Sequence, residues 1–167
     1  MAGDRRLYLL VLMVLGVTAC EPKDRRAGQW LRGDVVTTPV TDWSFSNDVD
    51  EIFVETQTWY LVPHSVTTTV VTTDGTLYVP ALYRGGGDFP TERTWNKNIV
   101  RDPEVRLKIG DNIYPRTAYL VTDAGERGRV LAAFAAKYDY WRELLKNGDP
   151  ASPKIILLRM DPRGTPT

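Results

Sequence analysis

Residues 94–123 read TWNKNIVRDPEVRLKIGDNIYPRTAYLVTD, and this stretch decides the fold. Thr94 to Arg101 has the make-up of a short helix, and the Asp102-Pro103 pair must end it, because a proline disfavours a helical conformation in the residue before it. Beyond the break, Val105, Leu107, Ile109 and Ile113 alternate around Gly110-Asp111-Asn112, and alternate residues of a strand share one face. The segment therefore predicts a helical cap followed at once by a hairpin delivered to a sheet.

Upstream, Glu51 to Tyr60 alternates with Ile52 and Val54 on one side, and Val66 to Thr73 is dense in β-branched residues. Asp74-Gly75 is a two-residue hairpin signal ahead of a strand from Thr76 to Leu82. Arg84-Gly85-Gly86-Gly87 then breaks the sheet and leads through Asp88-Phe89-Pro90 to the Trp95 helix. Downstream, Asp123 is placed to cap a helix, with Glu126 at the spacing of a capping box. Val130, Leu131, Phe134 and Tyr138 follow at helical spacing, as the apolar stripe of one long helix lying on the sheet. After a turn around Asn147-Gly148-Asp149-Pro150, Ile155 to Leu158 reads as a central strand buried on both faces. The order of strands, short helix, hairpin, helix and strand predicts a mainly β, β + α domain at 47–161. Its form is a six- or seven-stranded antiparallel barrel with helices capping its ends, followed by a tail at 162–167.

The 167 residues suffice for one domain with a real core and are too few for two ordinary ones. Twenty-one basic and 21 acidic residues balance, so no electrostatic footprint points to nucleic acid. The single cysteine, Cys20, and the single histidine, His64, exclude an internal disulfide, a CxxC pair and a multi-His zinc site. No metal site is expected. With no thiol in the body of the chain and no G-x-S-x-G elbow, hydrolase mechanisms fall away as well.

Arg5-Arg6 precedes an apolar run from Leu7 to Val17, too short to span a bilayer, which needs about 20 residues. Residues 1–19 read as a signal peptide. Val17-Thr18-Ala19-Cys20 resembles the lipobox of bacterial lipoproteins, which implies cleavage before Cys20, its lipidation, and a cell-envelope location on the periplasmic or outer face of a membrane. The plainer alternative is an ordinary cleaved signal with an incidental cysteine. Arg5-Arg6-Leu7-Tyr8-Leu9 is also loosely similar to a twin-arginine export signal, with Asp4 departing from the usual pattern. Residues 20–46 contain Pro22 and Pro39 and no sustained period, which suits a linker; Trp30, Trp43 and Phe45 suit an N-terminal flap packed on the barrel instead.

Trp95, Asn98, Pro103 and Val105 stand at the spacing W-x-x-N-x-x-x-x-P-x-V. This resembles the deazaflavin-dependent nitroreductase family of flavin-binding split β-barrels, related to pyridoxamine phosphate oxidases, over roughly Glu51 to Asp161. The resemblance implies a split barrel binding a deazaflavin coenzyme or FMN, and pairing into a homodimer, although some deazaflavin relatives are monomers. Arg84 falls where the family brings a basic residue and glycines to the cofactor phosphate. Independently, Arg84 with Gly85 and Gly86 has the donors of a phosphate cradle, or is simply a turn. Trp95 and Asn98 lie three apart, so an indole and an amide share a helix face and border a flat ring, or serve as a core tryptophan and a helix-ending asparagine. Lys97 lies outside the motif and is a candidate phosphate partner.

Tyr138 and Tyr140 match family tyrosines that face the substrate, Tyr140 more closely. A further tyrosine and a glutamine expected downstream are replaced by Trp141, Arg142 and Glu143. The family's basic glycine turn before the second strand is also missing, and Trp59-Tyr60-Leu61-Val62-Pro63-His64-Ser65 stands there. His64 and Ser65 remain as donors to a smaller phosphate. Two functions follow as expectations. The first is an exported, lipid-anchored oxidoreductase using a deazaflavin or FMN on a small aromatic or quinone-like substrate, because such cofactors supply the hydride chemistry and the protein supplies position. The second is a cofactor-free split barrel serving as a ligand-binding or structural lipoprotein.

Overall fold

The computed structural model describes residues 30–83, 87–146 and 154–164. The expected signal peptide, Cys20, the Arg84-Gly85-Gly86 run and the turn at Asn147 lie outside the described residues. The elements are β1 (Asp34–Val35), a 3-10 turn (Ser44–Asp48), β2 (Glu51–Gln57), β3 (Pro63–Thr69), β4 (Val71–Thr73), β5 (Thr76–Tyr83), α1 (Thr94–Arg101), β6 (Glu104–Ile109), β7 (Asn112–Leu120), α2 (Ala124–Lys137), α3 (Asp139–Lys146) and β8 (Lys154–Pro162). Seven strands form one antiparallel path in the order β3-β2-β6-β7-β8-β5-β4. The eighth, β1, lies parallel to β7, with Asp34 opposite Asn112.

The quoted stretch folds as its residues dictate. Helix α1 stops at Arg101, and Asp102 before the proline is extended at φ −144°. The hairpin turns through Gly110 and Asp111, with Ile109 opposite Asn112. At the earlier hairpin Asp74 and Gly75 take φ of 52° and 72°, the pair of positive values that matches the right-handed twist of the flanking strands. Strand β8 is covered on both faces: Leu158 and Met160 join the barrel core with Ile52, Val54, Leu107 and Val79, whereas Leu157 joins Val130, Phe134 and Trp141 under the helices.

The β-branched run predicted as one strand from Val66 to Thr73 is instead divided at Val70. Strands β3 and β4 are the two ends of the sheet path, yet only Val70 separates them in sequence. The sheet therefore has to curl until its edges meet at this residue, which makes it a barrel. A backbone unit at such a crossing has no ladder partner, and an orphan buried amide is costly. Here the Val70 N–H donates to the Tyr138 hydroxyl at 3.1 Å. The Val70 carbonyl accepts from Lys137 Nζ at 3.0 Å, and the same ammonium reaches the Ser46 and Val49 carbonyls at 2.7 Å each. Three N–H bonds thus meet three carbonyls. Burial holds the Lys137 pKa below the usual lysine value, opposed only in part by the nearby Asp50 and Asp48 charges.

Tyr138 corrects the expectation of one long helix. It is extended, at φ −123° and ψ 126°, and separates α2 from α3. Its hydroxyl lies 2.8 Å from both the Asp50 and the Val70 carbonyls. The break lets Trp141 of α3 stack on Phe134 of α2 at 4.5 Å. The capping box at Asp123 is half formed. Asp123 accepts from the Glu126 N–H at 2.7 Å, but the Glu126 carboxylate turns to the Tyr78 hydroxyl at 3.0 Å and to Arg159 at 3.3 Å.

At the N-terminal side, Trp43 is buried in the barrel core, meeting Tyr114 edge-on at 5.1 Å and the Arg116 guanidinium at 4.6 Å. Leu31 is buried as well, whereas Trp30 is half exposed.

Two measurements test these contacts. Tyr138→Phe should cost about 1–2 kcal/mol in urea unfolding, and Lys137→Met more, since it strips one donor from three carbonyls. Burial and the Glu126 contact push the Tyr78 pKa up to about 12. An unfolded tyrosine loses its proton near 10, so the native state holds the extra proton between about pH 10 and 12. That contribution is intact below about pH 10 and is lost as pH rises through the folded pKa; Tyr78→Phe should flatten this part of the stability–pH profile.

Candidate functional site

The two ends of the sheet meet at Val70 but do not zip together along their length. Thr68 Oγ1 donates to the Pro80 carbonyl at 3.3 Å across the seam between β3 and β5. In an extended strand the N–H and C=O of one residue point the same way, so the missing donor of Pro80 falls on this seam. The opposite edge of β5 is paired with β8 from Leu77 to Tyr83, Pro80 lying opposite Leu157. The unzipped gap opens as a cleft of about 470 Å³, within the range of small-ligand sites.

Its walls are Val66–Thr69 of β3 and Pro80–Leu82 of β5; Arg93 and Trp95 close one end, Tyr140 and Trp141 of α3 another, and Glu51 stands at the start of β2. Arg93 immediately precedes α1. Its guanidinium donates to the Leu82 carbonyl and lies 5.7 Å from the Tyr83 ring centre, which fixes the cation at the cleft. Among the described residues no side chain caps the first turn of α1; the Asn96 and Lys97 N–H groups donate to the Arg93 carbonyl at 3.1 Å, and the positive end of the helix dipole there favours anions. Trp95 supplies a buried indole, and Tyr140 is half exposed at the mouth. An aromatic wall, one guanidinium, a helix start and the Thr67 and Thr69 hydroxyls suit a planar ring carrying an anionic group. Glu51 is the one carboxylate in the wall, and it opposes that charge.

Of the residues singled out in the sequence and described, Trp95 and Tyr140 meet in this cleft, whereas Asn98, Lys97, His64, Ser65 and Tyr138 are not among its lining. Asn98 is buried, its amide donating to Thr56 Oγ1 at 2.9 Å, and Thr56 in turn donates to the His64 carbonyl at 3.2 Å. Trp95 and Asn98 share a helix yet serve different neighbours, so they do not border one ring together. Lys97 is exposed on α1. His64 pairs with Thr56 and Ser65 with Glu55 in the β2–β3 ladder, below the cleft. Tyr138 is held at the Val70 junction, whereas Arg84, Gly85 and Gly86 lie outside the described residues. Sequence reading missed Arg93, the threonines of β3, and Asn96. Asn96 is buried with its amide on the Tyr83 hydroxyl, and its Oδ1 has no partner among the described residues. A cation directly before a helix start, and a proline inside a strand, were the available signals. Among the described residues no three His, Cys, Asp or Glu side chains gather to hold a metal ion.

No family model and no curated protein matches the chain. Solved structures do. A conserved hypothetical protein from Mycobacterium tuberculosis aligns with a TM-score of 0.55 at 18% identity, covering 79% of this chain and 84% of its own. A candidate pyridoxamine 5'-phosphate oxidase from Listeria innocua aligns with a TM-score of 0.52 at 16% identity, covering 72% and 89%. A domain-swapped dimer aligns with a TM-score of 0.51 at 21% identity, covering 68% and 81%. At these identities the likeness is one of fold, and the fold is the β + α split barrel of pyridoxamine phosphate oxidase type.

The different placements of the α1 residues are separable by mutation. Asn98→Ala should lower stability by about 1–2 kcal/mol in denaturant unfolding, because it leaves Thr56 without its buried partner. Lys97→Ala, on the solvent side, should stay within about 0.5 kcal/mol of the parent.

Proposed function

We propose that the seam cleft holds a flavin or deazaflavin and that the protein is an oxidoreductase acting on a small aromatic or quinone-like molecule. The observation that carries this reading is the meeting of Trp95 and Arg93 in one cleft of about 470 Å³ beside an uncapped helix start. The indole would flank the ring system. Arg93, assisted by the positive end of the α1 dipole, would take the phosphate, and the threonine hydroxyls would orient the ring's polar edge. Arg84-Gly85-Gly86 follows Tyr83 directly in sequence and would add backbone donors to the same anion. One arginine among the described wall residues, opposed by Glu51, matches a single phosphate better than the longer anionic tail of a deazaflavin coenzyme, which favours FMN. When bound, the cofactor supplies the hydride; the protein positions it and, through Tyr140 at the mouth, orients the substrate.

Export and lipidation at Cys20, a cell-envelope location and pairing into a homodimer belong to the same proposal. They rest on the lipobox-like sequence and on the habit of the fold; one solved protein of this fold is a dimer. Processing that is blocked by globomycin, with acyl labelling lost in Cys20→Ala, would establish the anchor. The cofactor-free alternative is favoured by one observation: the apolar Trp59-Tyr60-Leu61 turn stands where the resembled family has a basic glycine turn.

Titration of the purified protein with FMN and with a deazaflavin coenzyme, followed by fluorescence quenching, separates the two readings. Saturable binding should appear for FMN. Arg93→Ala should weaken it about tenfold or more, the worth of a charge-assisted hydrogen bond, whereas Lys97→Ala should leave it unchanged. Binding of neither cofactor by the folded protein would sink the oxidoreductase reading in favour of the cofactor-free one.

A further inference from the structure

The turn between β2 and β3 carries an apolar tip that the barrel does not cover. Trp59, Tyr60 and Leu61 are 77%, 56% and 76% exposed, and the two rings meet edge-on at 5.2 Å. The turn beneath them is locked rather than loose. The Thr58 N–H and hydroxyl both donate to the Val62 carbonyl, at 3.1 and 2.6 Å. The Val62 N–H donates back to Thr58 Oγ1 at 3.0 Å, and the Leu61 N–H donates to the Thr58 carbonyl at 3.0 Å. Leu61 sits at φ 63°, a left-handed conformation that costs a non-glycine residue about 1–2 kcal/mol. The loop thus presents three apolar side chains outward against both solvent and backbone preference.

A second observation says what lies on that side. Followed backwards from β1, the chain is pinned at Asp34 to the Asp111 carbonyl at 3.0 Å, at Arg32 to Lys108 at 2.5 Å, and at Leu31 to Arg106 at 3.4 Å and Glu55 at 2.6 Å. It therefore runs along β6 from the Gly110 turn towards the end of β2, and Glu55 is two residues short of Gln57, where β2 stops and the tip begins. The connection to residues 1–29 leaves the fold at this end. Those residues include the apolar run Leu7 to Val17 and Cys20, which precedes Trp30 by ten positions, a reach of at most about 35 Å. Among the described residues no helix is long and apolar enough to cross a membrane, so any membrane contact by the described barrel would be superficial or through strands.

We infer that Trp59, Tyr60 and Leu61 rest in the interfacial layer of a lipid bilayer and fix how the barrel stands on it. Tryptophan and tyrosine have an apolar body with a polar edge and settle at headgroup level; leucine reaches the acyl boundary. Arg101 donates to the Gln57 carbonyl at the base of the tip, and there Arg101, Arg106 and Arg163 balance Glu55, Asp102 and Glu104, so the attraction is apolar rather than electrostatic. Contact should accordingly survive high salt.

Because Cys20 is the only cysteine, Cys20→Ser with Tyr60→Cys gives a full-length chain with one thiol for a polarity-sensitive fluorophore, leaving Trp59 and Leu61 in place. Cys20→Ser with Asp111→Cys labels the other end of β6 as a control. On phosphatidylethanolamine–phosphatidylglycerol vesicles the label at 60 should shift to the blue and be quenched by brominated lipid, in high salt too, with the label at 111 unchanged. Adding Trp59→Asp and Leu61→Asp should abolish the shift at 60, with unchanged circular dichroism as the check on folding. Water-like emission at 60 on vesicle-bound protein, equal responses at both positions, or failure to sediment with vesicles would each overturn the inference. So would a concentration-dependent blue shift at 60 without lipid, which would mean that a second copy covers the tip. Acyl labelling of Cys20 is replaced in every one of these chains, so lipidation can fail on its own without touching this result.

Discussion

A strand that belongs to both edges of the same sheet cannot satisfy its own backbone where it crosses from one to the other, and Val70 is that crossing. Its amide and carbonyl depend on Tyr138 and Lys137, two adjacent residues at the end of α2. The remaining layout follows. The end of α2 must sit over the junction, which places Val130 and Phe134 against Leu157 and Tyr78 on the outer face of the sheet. The Lys137 ammonium gathers the Ser46 and Val49 carbonyls at the same point, tying the segment before β2 to the helix. Residue 138 leaves helical geometry there, and α3 begins afresh with Trp141 turned back onto Phe134.

Closing the barrel at one point while leaving the adjoining edges unladdered is what creates the site. The cleft has no element of its own: a stretch of β3, a stretch of β5, the start of α1 and the start of α3 each contribute one wall. Its chemistry follows from that assembly. Trp95 is held by the barrel core, Arg93 by a carbonyl of β5, and Tyr140 by a helix whose position derives from the Val70 junction. Under the proposed function no acid–base pair would be needed there, because a flavin would carry its own reactivity and ask the protein for a flat wall, an anion partner and a mouth.

Much of this architecture was legible in the residues, for identifiable reasons. Proline at 103, the Asp74-Gly75 pair and the two-sided apolar run at 155–158 each act locally, so their meaning does not depend on distant partners. What was hidden is tertiary. The β-branched run through Val70 keeps its period across the junction and gives no sign that one residue belongs to neither strand. Tyr138 falls four residues after Phe134, a helical spacing, but hydroxyl bonds to residues some 70 to 90 positions away decide its conformation. Trp95 and Asn98 do share one helix, as their spacing requires. Spacing on a helix specifies a direction but not a neighbour, and Asn98 found Thr56. Glu126 likewise had a distant tyrosine and arginine to satisfy, which outweighed its own helix start.

Pro80 sets strand pairing and the seam cleft against each other at a single residue. An N–H at position 80 would let β5 begin a ladder with β3, as the neighbouring strands do on every other edge of the path, and the gained pairing would come at the expense of the cleft. A search for more stable variants should therefore drift towards sealed barrels at this position, whereas selection for ligand capture should keep the proline or some other residue that cannot complete the pairing. The same reasoning offers a design rule for barrels of this kind: a binding cavity can be opened or withdrawn by deleting or restoring one backbone donor, without touching the core that holds the fold together.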